Sequence, residues 1–292
     1  LDSCAGGGCG DDGVVAVEHR QLQAIVVEQP PAQLLAAGEQ AQALAAASRT
    51  ISADRPVHSI HGYFIRPGDA LQPITFTVET LRDGRSFSVR RVLATQNEKA
   101  ILALTCSFQE PAEAALDHQV AMPEGVPAPE ELPSTADVLG RINHPIAQEW
   151  AWARPFDIRH VTPAIYVDPA PEAENRNMVW MKTFTPLADD PALHVAALTY
   201  ASDYTLLEPV LRQHGVAWIQ PGMSVASLDH AMWFHRPARA DEWLLYVQHS
   251  PSAQGARGLG TGSVFTRDGT LVASVAQEGM IREKRRAPEP EA

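Results

Sequence analysis

The sequence contains 292 residues, of which 45% are hydrophobic and 20% are charged, and its formal net charge is −12 at pH 7. A chain of this length and composition is expected to form two globular domains of moderate size without disulfide bonds. The negative charge argues against nucleic acid as a partner, and no apolar run approaches the about 20 residues of a membrane-spanning helix. Cys4, Cys9 and Cys106 are odd in number and lack metal-ligand spacing, which predicts a cytoplasmic protein without a bound metal.

The first predicted element is a helix over residues 33–50. Alanine, leucine and glutamine, which are strong helix formers, dominate this segment. The glycine-rich stretch at the start belongs to an atypical segment, residues 1–34, which matches no pattern that we can assign. The chain therefore begins its recognisable pattern with a helix.

Strands of an antiparallel sheet are predicted over residues 58–108. Apolar and polar residues alternate in ITFTVET and SFSVRRV, which is typical of strands with one buried face. Asp83-Gly84 is a hairpin signal between two of them. The first strand ends in Arg66-Pro67, and three more strands follow it.

A proline-rich segment, residues 111–140, separates this region from a second helical pattern over residues 191–215. Two aspartates just before the second pattern suit a helix N-cap, and Gly215 suits the position after the helix. Pro209 must kink or split this helix, so we expect Asp203 to begin a second helical piece.

The chain contains an internal repeat. YFIRP, beginning at Tyr63, returns as WFHRP, beginning at Trp233, and TQN at Thr95 returns as TRD at Thr266. Each copy is a helix followed by an antiparallel sheet, which predicts an α+β fold in which each sheet wraps around a helix. The predicted division is an N-terminal domain (1–110), a linker (111–140) and a C-terminal domain (141–292).

The two copies differ in polarity at corresponding places. Ser227 corresponds to Val57, and Gln277 corresponds to Cys106. Asp203 likewise lies at a place in the second copy where the first copy offers glutamine and apolar residues. Each polar residue alone could be a helix cap or an ordinary strand residue. Three such replacements in one copy predict a functional site in the second half.

The strand pattern argues against two other kinds of site. GMSVA, around Ser224, approaches the nucleophile motif of serine hydrolases, but that motif requires a helix after the serine and a strand is predicted here. His61 lies three positions after His58, and His235 lies five positions after His230, so both offsets are odd. Odd spacing places side chains on opposite faces of a strand, so neither pair is expected to bind a metal.

The chain resembles the acyl-CoA thioesterase II family in five motifs: HSIHGYFIRPGD, ETLRDGRSFSVRRV, YASDYTLLEPVL, SLDHAMWFHRP and LVASVAQEGMIR. The resemblance covers residues 58–282 and implies a double hotdog fold, hydrolysis of acyl-CoA to free acid and CoA, no cofactor, and a homo-oligomer of two or more subunits. The family's water-activating residues fall on Asp203, Ser227 and Gln277, where Ser227 stands in place of the more frequent threonine.

Two alternative functions remain open beside this resemblance, and the first helix departs from the family's sequence pattern. The family's first helix opens with an aromatic-Gly-Gly-Gln stretch, whereas this chain has Leu35-Ala36-Ala37-Gly38. A double-hotdog enoyl-CoA hydratase and a non-catalytic acyl-CoA-binding protein are the alternative functions. The hydratases carry Asn-Pro and a histidine after their aspartate, and this chain does not. Arg236 and Arg257 are candidates for binding the CoA phosphates by position only.

Overall fold

The computed structural model of the protein describes residues 22–27, 35–69, 71–113 and 115–283. The elements in chain order are β1 (Leu22–Val27), α1 (Leu35–Ser48), β2 (Val57–Phe64), β3 (Ile74–Asp83), β4 (Phe87–Gln96), β5 (Lys99–Gln109), a 3-10 turn (Pro129–Glu131), α2 (Thr135–Leu139), α3 (Pro145–Trp152), β6 (Phe156–His160), β7 (Arg176–Thr183), α4 (Pro191–Ser202), α5 (Glu208–Gln213), β8 (Met223–Ser227), β9 (Asp229–Phe234), β10 (Leu244–Gln254), β11 (Arg257–Thr266) and β12 (Leu271–Glu283).

These strands form one 12-stranded sheet in the order β1-β3-β4-β5-β2-β9-β12-β11-β10-β7-β6, with β8 also paired to β12. All of the pairings are antiparallel. The two repeat copies meet where β2 pairs with β9, with Ile60 opposite Met232. Each copy thus supplies the four consecutive strands that the sequence predicts, and the copies share a single sheet.

The alternating sequence produces a sheet with one buried face. In β3, Ile74, Phe76 and Val78 are buried while the two threonines between them are only partly covered. This follows from the two-residue period of a strand, which sends successive side chains to opposite faces. The predicted hairpin at Asp83-Gly84 joins β3 to β4. Gly269, in the turn between β11 and β12, has a φ of 89° that favours glycine.

The helices cover the buried face of the sheet. α1 contacts β2 to β5, α5 contacts β7, β10 and β11, and α1 and α4 pack against each other. Alanines such as Ala43 and Ala47 in α1 and Ala201 in α4 are buried, and small side chains let helices approach closely. One apolar core contains residues of both copies. The predicted α+β architecture, sheets wrapped around central helices, is confirmed.

The second helical pattern differs from the prediction at one important point. α4 begins where expected, and its N-cap Asp190 accepts a hydrogen bond from the Ala192 N–H at 3.0 Å. The chain is split before Pro209, as predicted, but the second helix begins at Glu208. Asp203 is the C-cap of α4 and not the start of a helix. The prediction for Asp203 was wrong because a turn of several residues separates the two helices.

Candidate active site

Three separate elements carry the residues singled out by the repeat comparison. Asp203 directly follows α4, Ser227 is the last residue of β8, and Gln277 lies in β12. Pairing of β8 with β12 sets Ser227 opposite Gly279, two residues beyond Gln277. Gln277 and Gly279 lie on the same face of β12 because they are two residues apart. That face is the buried one, so the strand directs Gln277 towards the helices.

The three side chains are in direct contact. The Ser227 hydroxyl donates a hydrogen bond to Asp203 Oδ1 at 3.0 Å. Gln277 Nε2 donates to the same Asp203 oxygen and to Ser227 Oγ, each at 2.6 Å. Gln277 is only 1% exposed, while Asp203 and Ser227 are half-buried. The arrangement is a partly accessible carboxylate, which can accept a proton, held by one hydroxyl and one amide.

The turn that carries Asp203 is fixed by a chain of buried polar side chains. Gln248 Nε2 donates a hydrogen bond to Thr205 Oγ1 at 2.6 Å, and Asn177 Nδ2 donates to Gln248 Oε1 at 2.8 Å. The Arg154 guanidinium lies over the Tyr204 ring, 4.4 Å from its centroid. The chain of Asn177, Gln248 and Thr205 holds one conformation because its members are hydrogen-bonded to one another and an unpaired buried polar group would cost free energy. Asp203 is therefore presented from a well-supported turn.

Glycines on the sheet make room for this turn. A Cβ atom added to Gly260 would collide with the Leu206 carbonyl oxygen, and one added to Gly279 would collide with the Leu207 side chain. Gly260 is paired with Gln277. The backbone of the turn can therefore lie directly on the sheet beside Gln277, because glycine permits this close approach.

In the first copy, a buried arginine occupies the place that corresponds to the cluster. Arg90 is paired with Cys106, the counterpart of Gln277, and is only 3% exposed. Its guanidinium donates to Thr50 Oγ1 at 2.9 Å and to Asp83 Oδ1 at 2.8 Å. Together with Val57 in place of Ser227, these residues leave no carboxylate–hydroxyl–amide cluster at this place in the described part of the first copy.

Two further polar residues adjoin the cluster and were not predicted. His230 Nδ1 is hydrogen-bonded to Gln277 Oε1, and its Nε2 is 2.9 Å from Ser202 Oγ. His230 and Ser202 are both fully buried, and burial lowers the pKa of His230 because the charged ring is desolvated. The repeat contains a signal for this residue, since Ile60 is the first-copy counterpart of His230. It is the same change from apolar to polar that marks Ser227 and Gln277.

The other sequence candidates have local partners. His58 Nε2 is 2.8 Å from Ser107 Oγ, and the ring of His61 packs edge-on against Trp233. Ser224 is a ladder residue opposite Arg282, so no nucleophile turn forms around it. Among the residues that the structure describes, no group of three or more His, Cys, Asp or Glu side chains could hold a metal ion.

The two candidate phosphate-binding arginines are engaged in ion pairs. Arg236 contacts Asp117, and Arg257 Nε is 2.9 Å from Glu278 Oε1. Nothing in these pairs favours either residue for CoA binding.

The described part of the chain contains no helix with the length and apolar composition of a membrane span. Of the three cysteines in the sequence, only Cys106 lies within the described residues, where it is buried and forms no disulfide bond.

Comparison with known proteins agrees with this fold. A family described as "Acyl-CoA thioesterase N-terminal domain" matches residues 40–109, and a family described as "Acyl-CoA thioesterase" matches residues 163–280. The solved structure of acyl-CoA thioesterase II TesB2 from Mycobacterium marinum is 44% identical and superposes with a TM-score of 0.69, covering 83% of this chain and 87% of that one. A hotdog-fold protein from Alicyclobacillus acidocaldarius, at 17% identity, shows the fold alone, with a TM-score of 0.68 over 92% of this chain and 95% of that one.

Curated proteins with similar sequences are also acyl-CoA thioesterases by name. "Acyl-CoA thioesterase 2" of Haemophilus influenzae is 39% identical over 83% of this chain and 85% of that protein. "Acyl-coenzyme A thioesterase 8" of Homo sapiens is 38% identical over 83% of this chain and 78% of that protein. The fold is thus that of the double hotdog thioesterases, which confirms the predicted fold class. The chain belongs to the acyl-CoA thioesterase family.

Proposed function

We propose that this protein hydrolyses acyl-CoA thioesters to a free acid and CoA, using a water molecule activated by Asp203, Ser227 and Gln277. The observation that carries the proposal is the mutual hydrogen bonding of these three side chains, which lie in the half of the chain that matches the acyl-CoA thioesterase family. They come from three elements far apart in sequence, and a half-buried carboxylate at their centre is suited to base catalysis.

In this mechanism Asp203 is the general base. It takes a proton from the water as the water oxygen attacks the thioester carbonyl. The C–S bond of the tetrahedral intermediate then breaks, and the proton passes from Asp203 to the leaving sulfur, so that CoA departs as its thiol and the carboxylate is regenerated. The carbonyl of a thioester is electrophilic enough for direct attack, so a covalent enzyme nucleophile is not required. Gln277 and Ser227 hold the Asp203 carboxylate and the water in the geometry of attack, which lowers the entropic cost of reaching the transition state.

Replacing Asp203 with asparagine tests the proposal. Asp203→Asn keeps the size of the side chain but removes the base, and we expect kcat to fall roughly 10²- to 10⁴-fold. The measurement is release of the CoA thiol from acyl-CoAs of several chain lengths. Asp229→Asn is the matched control, because Asp229 Oδ1 accepts a hydrogen bond from the Glu278 N–H and asparagine can accept it equally well. Turnover by Asp203→Asn at the wild-type rate would refute the assignment.

The same assay separates the alternative functions. A hydratase would consume a 2-enoyl-CoA without releasing thiol, and a non-catalytic binder would retain acyl-CoA without turnover. Thiol release by the wild-type protein supports hydrolysis alone. Family membership and the absence of the hydratase motif after Asp203 both favour hydrolysis.

We further propose that the protein forms a homo-oligomer of two or more subunits, as the family resemblance implies, and that it is cytoplasmic, as its odd number of cysteines indicates. The buried, unpaired thiol of Cys106 is compatible with a reducing compartment. The division into an N-terminal domain (1–110), a linker (111–140) and a C-terminal domain (141–292) also remains a proposal. It is supported by the separate matches of the two family models.

A further inference from the structure

We propose that His230 is a positioning residue, whose ring N–H fixes the orientation of the Gln277 amide and so directs the amide NH2 group at Asp203 and Ser227. The inference rests on the proposed function, since it concerns the same three residues. His230 lies behind Gln277, on the side away from Asp203, and is fully buried in β9. Its hydrogen bond to the activating cluster is the one with Gln277.

The orientation of the Gln277 amide matters because its two ends have opposite hydrogen-bonding character. The NH2 end only donates and the carbonyl end only accepts, although they have almost the same size. Asp203 Oδ1 is 2.6 Å from Gln277 Nε2. If the amide were reversed, two oxygen acceptors would face each other at that distance and repel. The site therefore needs a group that holds the carbonyl end on the other side.

The His230 ring supplies that group. Gln277 Oε1 can only accept, so the hydrogen bond between it and His230 Nδ1 requires a proton on Nδ1. Full burial lowers the pKa of His230, which favours the neutral ring with a single proton. Nε2 is then an acceptor, and the Ser202 hydroxyl at 2.9 Å is a donor that it shares with the Thr199 carbonyl at 2.8 Å. The hydrogen-bond pattern thus selects one tautomer.

Further hydrogen bonds hold the backbone of Ser202 and of His230 in place. Ser202 is the last residue of α4 and immediately precedes Asp203, and its backbone carbonyl accepts a hydrogen bond from the Tyr246 hydroxyl at 3.2 Å. The His230 carbonyl accepts one from Gln40 Nε2 of the first copy, also at 3.2 Å. The end of α4 is therefore connected to Asp203 by a second route, through Ser202, His230 and Gln277.

Two substitutions of His230 separate positioning from simple support of the core. The amide nitrogen of His230→Asn lies near the place of Nδ1 and can still donate to Gln277, whereas that of His230→Gln lies near Nε2 and cannot. We expect His230→Gln to lower kcat roughly 10- to 100-fold relative to His230→Asn, with the KM of both variants close to the wild-type value. Stability should follow the opposite order, because asparagine leaves the larger cavity.

The measurements are kcat and KM from thiol release, together with the thermal midpoint of each variant. A purely structural role predicts that activity follows stability, so a kcat of His230→Gln equal to or above that of His230→Asn would overturn the inference. If neither variant folds, ¹⁵N NMR of the wild-type histidine rings decides instead, with His230 assigned by its response to Ser202→Ala. A proton on Nδ1 alone supports the inference, and a proton on Nε2 alone overturns it. Wild-type turnover by Asp203→Asn would instead refute the assignment of Asp203 as the base, and a wild-type protein that releases no thiol would refute the proposed function itself.

Discussion

Glu39, in α1, is a buried carboxyl group with a strongly perturbed acidity. It is only 3% exposed, and burial raises its pKa from 4.5 to about 7, because the charged form loses its hydration. The folded protein therefore binds this proton more tightly than the unfolded chain does. The free energy of unfolding accordingly decreases as the pH rises from about 4.5 to about 7, and it stays lower above that range.

We predict that Glu39→Gln stabilises the protein above neutral pH. The gain in the free energy of unfolding should be about 3 kcal/mol at most at pH ~8 and much smaller at pH ~5. Urea unfolding at the two pH values measures it. Glu124→Gln, at an exposed position, is the control and should change stability at neither pH. An equal gain from Glu39→Gln at both pH values would show that desolvation of the charge is not the cause.

At the residue scale, the repeat predicts the three side chains of the activating cluster and not the two polar residues that adjoin it, His230 and Ser202. Asp203, Ser227 and Gln277 stand out because the first copy is less polar at the corresponding places. His230 shows the same contrast, yet strand parity alone classes it with the structural histidines. Its contact with Gln277 depends on the pairing of β9 with β12, which a strand pattern in one sequence does not determine.

Among the elements, the turn between α4 and α5 depends most on its neighbour, because Gly260 of β11 is covered by the Leu206 carbonyl. We predict that Gly260→Ala displaces this turn, with a loss of about 1–3 kcal/mol in stability and a decrease in kcat, since Asp203 moves with the turn. Thiol release and urea unfolding measure the two effects. Thr261→Ala, on the next residue and the opposite face, should change neither by a comparable amount. Full activity of Gly260→Ala would show that the turn is not held by this contact.

The long elements follow from the sequence and the short ones do not. The strands β3 and β4 show clear alternation, and α1 shows clear helix propensity, so their positions are predicted to within a few residues. The short helices α2 and α3 and the short strand β6 offer too few residues for a period to stand out, and packing against the second half determines them. The end of α4 is likewise set by the polar contacts of the turn that follows it.

For the whole molecule, the shared core predicts that both halves unfold together. All six tryptophans belong to the second half, from Trp150 to Trp243, and one of them, Trp233, packs against a first-half ring, that of His61, so tryptophan fluorescence reports mainly on the second half. Leu102 is fully buried in β5 of the first half. Leu102→Ala should destabilise the protein by about 2–5 kcal/mol and lower the midpoint of the tryptophan transition together with that of the circular-dichroism transition. Leu71→Ala, at a position 83% exposed, is the control. A tryptophan transition that does not move with Leu102→Ala would mean that the halves unfold independently.

The pairing of β2 with β9 in one polypeptide also has a consequence for evolution. In a symmetric homodimer of single hotdogs, every substitution enters both subunits, so a change that abolishes one active site abolishes the other. Here a mutation enters one half only. Selection could therefore fill the first half with the Arg90 guanidinium and retain Val57 and Cys106 beside it, while the second half kept its polar cluster. Joining two copies in one polypeptide thus allows selection for folding and selection for catalysis to act on different halves of the same sheet.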